Sequence, residues 1–139
     1  MAEWATGRME LNPPALEEEI DAAQRELGVQ FPEDYIAFLK HSNGAEGVIG
    51  EGYLALFPVA QVVSATKELW RIGEEDDIAL HPYVQLGSDG GEETYMLDPR
   101  LPQIYEWELL ALEPVEDIPV GSTLSDLLAY AALGALNRG

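Results

Sequence analysis

The run Val29-Gln30-Phe31-Pro32-Glu33-Asp34-Tyr35-Ile36-Ala37-Phe38-Leu39-Lys40-His41-Ser42-Asn43-Gly44 specifies a short helix with its own start, buried face and stop. Pro32 suits the first helical position, where a missing N–H costs nothing, and Glu33 and Asp34 sit at the positive end of the helix dipole. Tyr35, Phe38 and Leu39 recur at helical spacing as one apolar face. Lys40 and His41 meet the free carbonyls of the last turn, and Asn43-Gly44 tolerates the left-handed backbone that ends a helix.

One helix with one apolar face needs a cover, and the neighbouring sequence supplies candidates. Leu16, Ile20, Ala23 and Leu27 recur at steps of three and four opposite Glu17, Glu18, Asp21 and Arg25, so a first helix precedes this one and ends at Gly28. After Gly44 the texture changes to Gly47-Val48-Ile49-Gly50 and Tyr53-Leu54-Ala55-Leu56-Phe57, two strands with a tight connection. Pro58 to Trp70 returns to helical spacing through Val59, Val62, Val63 and Leu69, although its β-branched valines suit a strand equally well. Gly73-Glu74-Glu75-Asp76-Asp77 reads as an acidic loop. Tyr83–Gly87 and Glu92–Asp98 form a hairpin about the turn Ser88-Asp89-Gly90-Gly91. In the strand from Ile104 to Leu109, alternation puts Tyr105, Trp107 and Leu109 on one face and Ile104, Glu106 and Glu108 on the other, turned toward water. Ser122 or Thr123 caps a last helix through Leu124, Leu127, Leu128 and Ala131 that ends near Gly134.

The chain of 139 residues fits a single domain over 15–139, behind a loose arm over 1–14 that ends at Pro13-Pro14 and that Trp4 is placed to anchor. No window approaches the roughly 20 apolar residues of a membrane span, and no basic stretch followed by an apolar one opens the chain. With no cysteine there is no disulfide or thiolate site, and the expected location is the cytoplasm. Twenty-six acidic against seven basic residues give a formal net charge of −19. That field repels a phosphate backbone, so nucleic acid is a poor partner and a basic protein a better-matched one. Acidic surfaces are also common and confer solubility, and the composition by itself favours that plainer reading.

Several separated features share an order: Leu27-Gly28, the Pro-x-x-Tyr-x-x-Phe-Leu helix with Asn-Gly behind it, Gly87-Ser88-Asp89-Gly90-Gly91-Glu92 entering a strand that ends at Asp98, and Ile118 to Leu128. Together they resemble the SUKH superfamily, specifically its cell-wall-assembly-regulator-like branch, from about Leu16 to Leu128. The resemblance implies an α+β domain whose mostly antiparallel, strongly curved sheet is packed by helices from both ends of the chain. It further implies a non-enzymatic domain, since many relatives are immunity proteins that neutralise bacterial toxins. This chain departs from the pattern at the acidic insertion Glu74–Asp77 and at Leu124 or Ser125, where many relatives carry an aromatic residue.

Chemistry has little support in the residues themselves. His41 and His81 cannot build a three-histidine zinc site, and neither a nucleophile elbow nor a phosphate loop is present. Asp89, Glu92 and Glu93 lack the alternating ligands of a calcium loop. Glu106 with Glu108, or Asp76 with Asp77, would need environments that separate their pKa values, whereas strand parity and loop composition predict solvated carboxylates. No cofactor is expected. What remains is a partner-binding surface in which Glu74, Glu75, Asp76, Asp77, Asp89, Glu92 and Glu93 face a basic protein, with Tyr53, Trp70 and Tyr95 as aromatic anchors if they are exposed, although core burial is the favoured reading for each. The expected function is neutralisation of a cognate toxin, such as a nuclease, by occlusion. The alternative is an intracellular scaffold or regulatory interaction domain without a toxin. The oligomeric state is left open.

Overall fold

A computed structural model describes residues 8–91, 93–108 and 118–133. Helix α1 spans Glu17–Leu27 and buries Ile20, Ala23 and Leu27, while α2 spans Glu33–His41 and buries Tyr35, Phe38 and Leu39. The α2 face is the one read from the sequence; the α1 face loses Leu16, which stands just before the helix and is 63% exposed. Pro32 stands one residue before α2 and its carbonyl accepts the Ile36 N–H. The Tyr35 hydroxyl is buried without a hydrogen-bond partner among the described residues, and burial pushes its pKa above the ordinary tyrosine value.

The end of α2 differs from the expected left-handed stop. Ser42 is extended and fully buried, with its hydroxyl accepting Asn12 N at 2.9 Å and donating to the Gly44 carbonyl. Asn43 turns its side-chain oxygen onto Val59 N at 2.7 Å, which satisfies an orphan donor at the start of the next helix. The Asn-Gly pair is therefore a junction between elements, because the chain enters a strand at once.

The strands are β1 (Glu10–Leu11), β2 (Ala45–Ile49), β3 (Gly52–Leu56), β4 (Val84–Ser88), β5 (Glu93–Asp98), β6 (Gln103–Glu108) and β7 (Ile118–Gly121). They pair in sequence order as one open, antiparallel sheet. Helix α3 (Val59–Glu75) interrupts the succession between β3 and β4, which meet at Ala55↔Ser88 and Leu56↔Gly87. Beyond those pairs Thr66 of α3 accepts Gln85 N at 3.0 Å, standing in for the strand partner that β4 lacks there. Helix α4 (Leu124–Ala132) opens with Thr123 accepting Asp126 N, and its first N–H donates to Asp34 of α2. The capped last helix is as expected. Gly134, Trp4, Leu109 and Glu92 lie outside the described residues. In the segment before α1, Met9 is buried, Glu10 and Leu11 pair with β2, and the Pro13 carbonyl accepts Asn43 N.

Two expectations need correction. The Glu74–Asp77 loop is in large part helix, since α3 runs to Glu75, Asp76 caps it and Asp77 follows with φ of 58°. Gly73 does not break α3 because its missing side chain admits the Ile78 carbonyl and the Leu80 side chain, each of which a Cβ would meet within 3.0 Å. The water-facing side of β6 is instead buried: Ile104 joins the main core and Glu106 is 3% exposed. The parity is right, but β4 to β6 are covered on both faces. The main core of α1, α2 and α4 lies against Val84, Tyr95, Leu97 and Ile104, and a second cluster of Leu69, Leu80, Met96 and Trp107 lies on the opposite face. Glu106 accepts from the Tyr95 and Tyr130 hydroxyls at 3.3 and 3.2 Å, so the buried carboxylate is hydrogen-bonded rather than solvated.

Candidate partner-binding surface

The C-terminal half of α3 brings Trp70 onto the second face of the sheet. Its indole N–H donates to the Tyr83 carbonyl at 2.9 Å, and its ring lies 4.5 Å from that of exposed His81. Tyr83 continues the strip, edge-on to Trp107 at 4.8 Å and to Tyr105 at 6.4 Å, with the Arg100 guanidinium 5.9 Å from the Tyr83 ring centre. Trp107 is the buried floor, and Trp70, Tyr83 and Tyr105 are half-buried above it. Such rings offer large apolar area with little rotamer entropy to lose.

Carboxylates border the strip where α3 ends. Glu74, Glu75, Asp76 and Asp77 are all exposed. Arg71 pairs with Glu75 at 2.6 Å and with Glu68, whose pKa its hydrogen bonds hold below the usual carboxylate value. Part of the local negative charge is therefore already met by Arg71. On the other side of the strip Arg100 donates to Asp98 through Nε at 2.9 Å and Nη2 at 2.8 Å, and its backbone N–H adds a third bond at 3.0 Å.

Those guanidinium hydrogen bonds lower the Asp98 pKa, so the pair stabilises the fold above the unfolded carboxyl pKa of about 3.9 and loses its contribution as pH falls through the lower folded value. Asp98 is buried but Arg100 is largely exposed, which limits the expected loss in Asp98→Asn to about 1–2 kcal/mol at pH 7. Urea titrations across pH 2–7 should show the parent and variant converging below about pH 4.

The remaining expected site residues lie elsewhere. Tyr53 is on the outer face of β3, 37% exposed, and donates to Glu46 of β2. Asp89 accepts Gly91 N at 2.8 Å within the β4–β5 turn, beside the Tyr53 ring, and half-buried Glu93 pairs in register with Glu108. Tyr95 is a correction: it is 1% exposed, its hydroxyl is bound to Glu106, and it is a core residue with no surface to offer a partner. Helix α3 begins three residues after β3, and its 17 residues carry Glu75 roughly 24 Å from its first turn. The acidic end of α3 and the Tyr53–Asp89 region are thus two regions, of which one contains Trp70. His81, Tyr83, Tyr105 and Arg100 were not expected there. The pairing of Tyr105 with Trp107 by strand parity was the available signal, but it gave no means of seeing that Trp70 and His81 join them.

Among the described residues no group of three or more His, Asp or Glu side chains could hold a metal ion, and no helix is long and apolar enough to cross a membrane. The sequence profile of the SMI1 / KNR4 family (SUKH-1) matches residues 14–130. The chain belongs to that family. A search of curated proteins gives no match. The SUKH-1 match runs from the residue before Ala15 to Tyr130, two residues short of the end of α4, so it takes in α1 to α3, most of α4 and the sheet from β2 to β7. Membership is consistent with a protein-interaction or immunity-like domain.

Proposed function

We propose that this SUKH-1 chain is a non-enzymatic, cytoplasmic immunity protein that binds a cognate toxin and covers the surface the toxin uses, such as the phosphate-binding face of a basic nuclease. The observation that carries the reading is the strip of Trp70, His81, Tyr83 and Tyr105 over buried Trp107, bordered by Glu74–Asp77 on a chain of net charge −19. Aromatic anchors supply the desolvated centre of an interface, and a carboxylate rim steers a basic partner toward it.

Co-purification from the native cell is the test. A single stoichiometric partner whose toxic activity the chain abolishes supports the reading, whereas several weak partners would make the chain a scaffold. With that partner in hand, the two parts of the surface should separate kinetically. Changing Glu74, Glu75, Asp76 and Asp77 together to their amides should slow association about tenfold at low salt and leave dissociation nearly unchanged. Added salt should reproduce that effect in the parent, because exposed charges are screened over about 8 Å at physiological ionic strength. Tyr105→Ala should instead accelerate dissociation about tenfold or more. Stopped-flow rates at two salt concentrations decide it, and equal association rates for parent and quadruple variant at low salt would assign the carboxylates to solubility alone.

A further inference from the structure

The outer face of β1 to β3, opposite α4, is a second surface that the aromatic strip does not use. Glu10 and Glu46 stand directly opposite each other in the β1–β2 register and are both exposed. Like charges at opposed strand positions repel, and no salt bridge among the described residues reaches either carboxylate. The three strands contain no lysine or arginine. Between the two glutamates and the first turn of α3 lies a recess of about 360 Å³, lined by Glu10, Asn12, Glu46, Ala55, Pro58 and Gln61 among others. The helix end does not set its sign, because the Val59 N–H is already bound by Asn43, so two full charges dominate.

Apolar surface adjoins the recess. Val48 and Tyr53 are cross-strand partners on the same outer face, 42% and 37% exposed, and the Tyr53 hydroxyl donates to Glu46. That hydrogen bond first, then slight desolvation and the charges of Glu46 and Glu10, hold the Tyr53 pKa above the ordinary tyrosine value, as a locally negative potential requires. A long basic side chain matches this arrangement, since its head can neutralise two carboxylates while its methylene stem covers valine and tyrosine.

We propose that the outer face of β1–β3 docks a basic segment of a partner protein, with one arginine or lysine side chain seated in the recess between Glu10 and Glu46. The inference rests on the protein-binding reading only for the class of partner; the surface and the side chain it takes are new. Charge complementarity selects the occupant, because a second copy of this acidic chain or a nucleic acid would bring more negative charge to an unneutralised pair.

The test needs no toxin, so its failure and that of the toxin reading are separable. The 15N-labelled full chain is titrated at low ionic strength with the peptide acetyl-Gly-Arg-Gly-Arg-Gly-amide. The expected result is saturable movement of the Glu10, Glu46, Val48, Ala55 and Gln61 amides with one affinity. That affinity should fall about tenfold in Glu10→Gln/Glu46→Gln and stay within about twofold of the parent when Glu74–Asp77 are neutralised. Glu10→Gln alone, which disturbs no hydrogen bond to Tyr53, should also weaken binding while unfolding at a higher denaturant concentration than the parent, because a repulsion has been removed. This single variant supplies the comparison if the double variant fails to fold. Shifts spread evenly over the acidic surface, no saturable shift in the parent, or equal affinity in parent and Glu10→Gln would each overturn the proposal.

Discussion

Phe38→Ala is expected to lower the stability of the domain by about 3–5 kcal/mol, a large part of the roughly 5–15 kcal/mol such a domain has. Phe38 is 1% exposed at the centre of the α2 face, between Tyr35 and Leu39. The helix that carries it is tied to its surroundings at both ends. The Leu39 carbonyl accepts Ala15 N at 2.8 Å just before α1, and Asp34 accepts the first N–H of α4. A cavity at Phe38 cannot be filled by moving α2 without loosening those bonds, so the site should collapse little and the cost should lie toward the upper end. Urea denaturation at pH 7 measures it. A loss below about 1 kcal/mol would mean that the apolar stripe of α2 is not the face that holds the helix down.

The stripe was readable because helical period, dipole-matched charges and a proline all occur within one short segment, and each is a local property of the chain. The same holds for α1, for the β4–β5 hairpin about Asp89-Gly90-Gly91, and for the Thr123 cap of α4. The errors fall where a residue's fate depends on a remote element. Alternation in β6 divided Ile104 and Glu106 from Tyr105 and Trp107 correctly, but which face is buried is decided by what packs on it, and here both faces carry core side chains, with Tyr105 left half-buried at the edge of the second. Glu106 in particular looks solvated in sequence because its two tyrosine partners lie 11 and 24 residues away. Gly73 followed by four acidic residues looks like a loop until Leu80 is seen packing where a side chain would be.

The candidate surface was legible to a similar degree. Trp70 and the carboxylates behind it could be named because they are neighbours in sequence. His81, Tyr83 and Tyr105 join them only through the fold of the segment after α3 and the β4–β5–β6 register, so no spacing rule reaches them. Tyr95 is the converse case. Nothing in Glu93-Thr94-Tyr95-Met96 tells which parity faces α4, and Tyr95 took the core side while Thr94 and Met96 took the other. The carboxylates of Glu10 and Glu46 are opposed only after β1 has paired with β2, across 36 residues of chain that form two helices first.

Gly44→Ala should destabilise the domain about as much as the core truncation, by a different route. Gly44 has φ of 86°, a conformation that costs an L-residue about 1–2 kcal/mol. In addition, an added Cβ would lie 2.6 Å from the Leu56 carbonyl oxygen, 2.7 Å from Pro58 N and 2.8 Å from the Phe57 carbonyl carbon. All three are backbone atoms, so no side chain can rotate away, and relief requires separating the α2–β2 junction from the β3–α3 junction it crosses. Overpacking of this kind costs about 1–3 kcal/mol, which with the backbone strain gives about 2–5 kcal/mol. Asn43 makes the separation harder, because its side chain bonds Val59 N across the same crossing. Gly28 provides the internal comparison: its φ is 67° but nothing lies within 4 Å of an added Cβ, so Gly28→Ala should lose only the roughly 1–2 kcal/mol of backbone strain. Denaturant midpoints for the two variants under one buffer separate the terms. Equal losses would show that the crossing yields freely, and that Gly44 serves only as the left-handed residue its place after α2 makes it look like.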